Sequence, residues 1–70
     1  MSKVRNLKIN GKNSGVAVAV PKGTSEKAIK EAFSEAAFRW TIEESLTRPL
    51  ADYAKQELAR RGIEGMVVRS

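Results

Sequence analysis

Residues Lys3 to Val20 read KVRNLKINGKNSGVAVAV, and this stretch decides the fold. From Lys3 to Ile9 the side chains alternate, with Arg5, Leu7 and Ile9 on one face and Val4, Asn6 and Lys8 on the other, which is the period of a strand. Asn10-Gly11-Lys12-Asn13-Ser14-Gly15 is dense in residues that tolerate positive φ and reads as a hairpin turn. Val16, Val18 and Val20 then alternate with Ala17 and Ala19, a β-branched stripe backed by small residues, as in a half-buried strand. Pairing Ile9 with Val16 and Leu7 with Val18 gathers the apolar side chains of both strands on one face. Lys8 and Asn6 lie beside the alanines on the other.

That apolar face needs a cover, and the next segment supplies one. Pro21-Lys22-Gly23 stops the strand; Thr24 or Ser25 is a suitable N-cap, and Glu26 sits in the first turn, where the helix dipole favours negative charge. Ile29, Ala32, Phe33, Ala36 and Trp40 form one stripe at helical spacing, with Trp40 as a core anchor. Phe38 falls off that stripe. Thr41-Ile42-Glu43-Glu44 reads either as a capping box opening a new helix or as a continuation of the first. Pro49 is tolerated only in a first turn, which places a boundary near Thr47. The second helix buries Leu50, Ala54 and Leu58, flanked by Ala51 and Tyr53, and stops at Arg60-Arg61-Gly62, with cations on its negative end and Gly just beyond. Ile63 to Arg69 returns as a third strand, with Gly65 marking a bulge or a close backbone approach.

The order ββααβ predicts an α+β fold, a three-stranded antiparallel sheet with one broken helix or a helical hairpin on one face and the other face open. A right-handed crossover over a central first strand gives strand order 2-1-3. The 70 residues form a single small basic domain (residues 1–70). Such a domain has little stability in reserve. A homodimer through a strand edge, or through Phe38 and Tyr53, would add to it.

With neither Cys nor His in the chain, disulfides, thiolate chemistry, the commonest metal ligand and the usual neutral-pH base are absent. No cofactor or metal is expected. Glu43 and Glu44 point in different directions on a helix, and so do Asp52 and Glu57. The carboxylates therefore read as solvated helix surface with local pairs such as Glu26 with Lys30 and Glu35 with Arg39. The Gly11 to Gly15 loop lacks phosphate-loop spacing and precedes a strand instead of a helix. No catalytic residue is assigned. The longest apolar run, Val16 to Pro21, is too short to span a bilayer, and a cytoplasmic, membrane-free setting is expected.

What remains is charge. The formal net charge is +5, and the first 22 residues contribute Lys3, Arg5, Lys8, Lys12 and Lys22 with no acidic side chain. Segregation of this kind is the footprint of a surface that meets nucleic acid or an acidic protein partner. The first functional expectation is a non-enzymatic small binding protein whose basic hairpin contacts nucleic acid or a nucleic-acid-handling complex, the Asn amides adding hydrogen bonds. The alternative is a protein-interaction module, such as a small phage-type inhibitor of a host enzyme, that binds through Phe38, Tyr53 and the open sheet face.

Overall fold

The computed structural model describes residues 2–42 and 48–70. Its elements are β1 (Ser2–Ile9), β2 (Lys12–Pro21), α1 (Glu26–Ile42), α2 (Leu50–Arg60) and β3 (Met66–Arg69). They make an α+β fold in which three antiparallel strands back two helices. Helix α1 continues through Thr41 and Ile42, while Glu43, Glu44 and the expected boundary at Thr47 lie outside the described residues.

The hairpin closes at Asn10 and Gly11, whose φ values are 53° and 79°; two successive positive values are what a two-residue turn matched to strand twist demands. Arg5 lies opposite Val18 and Asn6 opposite Ala17, after which the register shifts and Lys8 meets Asn13. Against the expected pairings of Leu7 with Val18 and Ile9 with Val16, the strands have slid by two residues before the bulge and by four beyond it, where Ile9 meets Lys12. An even slide leaves every side chain on its original face, so Leu7 still enters the core with Val16, Val18 and Val20. At the bulge, side-chain oxygens take over bonds that the ladder loses. Ser14 Oγ donates to the Leu7 carbonyl at 2.7 Å and accepts from the Val16 N–H at 3.3 Å, and the Gly15 N–H donates to Asn13 Oδ1 at 2.9 Å.

The strand order is 1-2-3, with β2 central, which corrects the expected 2-1-3. The reason is one of direction. Two helices between β2 and β3 carry the chain away and back, so β3 starts from the end of the sheet at which β2 finished and runs against it. Beside β1 it would run parallel. An all-antiparallel sheet therefore requires β3 to pair with β2, and Val18 faces Val67 while Ala19 faces Met66. β3 is also shorter than expected, because the chain from Ile63 to Gly65 is occupied in ending α2 and crossing the core.

That end is built from particular bonds. The Gly62 N–H donates to the Ala59 carbonyl and the Ile63 N–H to the Leu58 carbonyl, each at 2.9 Å. This is the pairing of a Schellman motif, and it brings Ile63 back towards Leu58. Gly65 follows, where a Cβ would stand 2.6 Å from Leu58 Cδ1 and 3.0 Å from Val18 Cγ1. The close approach read from the sequence is therefore real, and it seats β3 against both α2 and β2.

Ile29, Ala32, Phe33 and Ala36 of α1 meet Leu50, Ala51, Tyr53, Ala54 and Leu58 of α2 over the valine face of the sheet. At the head of α1 the Ala28 N–H reaches Ser25 Oγ at 3.4 Å, as the N-cap reading required. Trp40 packs against this core without being enclosed by it. Its indole Nε1 is buried and finds no acceptor among the described residues.

Candidate functional site

Two of the five N-terminal cations are committed inside the molecule. The register places Arg5 on the helix-facing side, opposite Val18, where it meets the first turn of α1. Arg5 Nη2 and Lys3 Nζ each lie 2.7 Å from Glu26 Oε2, Arg5 Nε donates to Oε1 at 3.0 Å, and Lys3 Nζ also donates to the Thr24 carbonyl at 2.8 Å. The hydrogen bonds from Arg5, then those from Lys3, hold the Glu26 carboxyl down at about 2. Glu26 in turn raises the Arg5 guanidinium. Glu26 was expected to pair along its own helix with Lys30. Instead it ties β1 to the head of α1.

The other three cations do not form one patch. Lys8 and Lys12 flank the hairpin turn, whereas Lys22 follows the opposite end of β2, where Ser2 pairs with Pro21. At strand rise, Lys8 and Lys22 are about 20 Å apart. All three are exposed, with no ion pair to a described residue. The hairpin is basic in sequence, but in space its free charge is split between its two ends.

A concavity opens beside the Glu26 cluster. Between β1, an edge strand, and α1 runs a groove of about 810 Å³. Ile9, Ile29, Phe33 and Ala37 supply its apolar wall, and Lys8 and Lys30 are on its rim. Phe38 also lines it and remains 61% exposed. The off-stripe position of Phe38 was the sequence signal for this surface. Lys30 and Ile9 gave none, because their roles depend on how far α1 stands from the strand edge.

The opposite flank of the helical layer is closed. Glu57 is 0% exposed and accepts from Arg39 Nη1 and Arg61 Nη1, each at 2.9 Å, with Arg60 Nη2 at 3.6 Å. Burial pushes its carboxyl up most strongly, but hydrogen bonds from Arg39 and Arg61 and the charges of Arg60 and Arg61 outweigh it and hold the group ionised below its ordinary range. Glu57 was expected on a solvated face. It occupies the buried side of α2 beside Tyr53, Ala54 and Leu58, and the signal was available in its i, i+3 and i, i+4 spacing to Arg60 and Arg61. Tyr53, expected as an interface residue with Phe38, is 1% exposed. Arg39 and Arg48 stand 5.6 and 4.8 Å from its ring centroid, so cation–π contacts and core packing already occupy it.

The sheet face away from the helices is open, as expected. Val4, Ala19 and Met66 form a row across all three strands, and Val4, Met66 and Val68 are about half exposed or more. Among the described residues no group of acidic side chains could hold a metal ion. Among the described residues no helix is long and apolar enough to cross a membrane. No protein-family model, curated protein or solved structure matches the chain.

Proposed function

We propose that the protein is a non-enzymatic binding module that captures an acidic protein partner in the groove between β1 and α1. The observation that carries this reading is the exposed Phe38 ring in a groove with an apolar wall of Ile9, Ile29, Phe33 and Ala37, which Lys8 and Lys30 also line. An aromatic anchor beside a partly enclosed apolar pocket is the composition of an interaction hot spot. Cations on the rim speed and select acidic partners. The nucleic-acid expectation draws less support, since Lys3 and Arg5 are bound to Glu26 and Lys22 is remote from the hairpin tip.

The experiment is capture on the immobilised chain from lysate with and without nuclease, using the native chain, Phe38→Ser, and Lys8→Glu with Lys12→Glu. Protein retained after nuclease treatment and lost with Phe38→Ser is the expected result. Retention that ends with nuclease treatment, is abolished by the two lysine reversals and is unaffected by Phe38→Ser would overturn the proposal in favour of nucleic acid.

A further inference from the structure

An edge strand beside a groove offers more than an apolar wall, because its outer backbone groups are unpaired. In an antiparallel hairpin closed by a two-residue turn, the residues flanking the turn bond to each other, and every second residue back along the strand directs its N–H and C=O outwards. With Asn10 and Gly11 in the turn, the outward set on β1 is Lys8, Asn6 and Val4. The structure bears a mark of this parity. The Val4 carbonyl accepts from Arg5 Nη1 at 3.0 Å, so its lone pair is turned away from β2.

The same bond divides the edge in two. Around Val4 it is capped by Arg5, and the Lys3, Arg5 and Glu26 cluster stands across it. The groove runs along the edge from Val4 and Arg5 to Ile9, and from Asn6 to Ile9 no side chain among the described residues caps it. This uncapped stretch spans about 10 Å at strand rise. Seen from it, helix side chains Phe33, Ala37 and Phe38 lie on one side and the sheet's exposed outer face on the other.

We infer that β1 between Asn6 and Ile9 accepts an extended acidic segment of a partner protein as a fourth strand of the sheet. The inference rests on the groove reading above and gives it a mechanism. Added strands gain affinity from main-chain bonds and specificity from pockets that receive alternate side chains. Here one set of alternate residues meets Ile9, Ile29, Phe33 and Phe38, which calls for apolar side chains. The rim lysines, Lys8 at the edge and Lys30 on the helix, call for acidic neighbours. Charge also selects the class of occupant. A second copy of this chain brings another +5 and, paired edge to edge, sets β1 cations against β1 cations, which is destabilising across a sheet. An acidic segment has the complementary sign.

The test uses the full chain and a panel of short fluorescein-labelled synthetic peptides alternating Glu with Val, Ile, Leu or Phe, read by anisotropy. At least one peptide should bind about tenfold or more tighter than its Lys-for-Glu counterpart, and Lys8→Glu with Lys30→Glu should remove that preference. Strand addition has a readout that simple groove filling lacks, namely parity. Methylating the backbone nitrogens of one alternate set in the best peptide should weaken binding about tenfold or more, while methylating the other set leaves it unchanged. Equal effects of both sets would overturn the strand and leave the groove reading intact. A panel with no member preferred over its Lys counterpart would also overturn the inference, and capture from lysate then decides the groove reading separately. A chain that sediments as a dimer, and binds peptide only when Lys8→Glu dissociates it, would overturn the inference in favour of a second copy.

Discussion

The two flanks of the helical layer are built from similar residues to opposite ends. Along α2 and β3 every device draws the elements together: Glu57 gathers Arg39, Arg60 and Arg61, the chain reverses by backbone bonds at Gly62 and Ile63, and Gly65 admits Leu58 and Val18 where any side chain would intrude. Along α1 and β1 a comparable carboxylate, Glu26, fastens only the head of the helix to the strand. Beyond it the helix stands off and Phe38 is left in the gap. The difference is between an ion cluster that a core encloses and one that sits in solvent. It teaches that stability and recognition are assigned to different sides of one small sheet.

The largest expected effect is on the closed side. Leu58→Ala removes a fully buried side chain and should destabilise the fold by roughly 2 to 5 kcal/mol, measured by urea denaturation. Gly65→Ala tests the same junction from the other direction, since its methyl meets Leu58 Cδ1; overpacking of this kind costs about 1 to 3 kcal/mol. The double variant should lose less than the two single losses combined, because removing the Leu58 branch makes room for the methyl. Additive losses would mean that the two groups do not share one contact.

Acid separates the flanks by chemistry. Both carboxylates have folded values below the ordinary 4.5, that of Glu26 at about 2, so the unfolded chain takes up protons first. The contribution of Glu26 is complete above about pH 4.5 and is lost as the pH falls towards 2, and that of Glu57 is lost in the same direction. Thermal melts across that window should show a falling midpoint, and Glu57→Gln should flatten the fall. The same variant should cost about 1 to 3 kcal/mol at neutral pH through weakened bonds to Arg39 and Arg61. The smallest expected change in stability belongs to the open side. Phe38→Ser should stay within about 0.5 kcal/mol of the native chain while reducing partner capture strongly, and a large loss of stability would instead make Phe38 part of the core.

The residues of the hairpin made most of this architecture legible. Alternation from Lys3 to Val20 assigned faces that survive an even slide in register, and the Pro49 and Arg60-Arg61-Gly62 signals bounded α2 as the structure has it. Strand order was not carried by periodicity. It follows from the parity of an even helix count, which a handedness rule does not capture. The candidate site was legible at Phe38 and misread at Lys3 and Arg5, because composition counts a charge without knowing that Glu26 is folded against it. Tyr53 and Glu57 were misread for a related reason: polar groups on a helix look solvated until the fold gathers arginines on them, here Arg39 from α1 with others from α2 and its ends.

Placing β2 at the centre of the sheet also fixes when the fold can be completed during synthesis. Its first neighbour, β1, is made just before it, but its second, β3, is made only after both helices. A nascent chain that has not yet reached β3 can form the hairpin and lay α1 on it, yet one side of Val18 stays unpaired and Leu58 lacks the backbone of Gly65 against it. Contacts between segments this distant in sequence form late and slowly. The core therefore closes only once β3 has been made, and loss of Met66 to Arg69 would leave the central strand exposed as an edge.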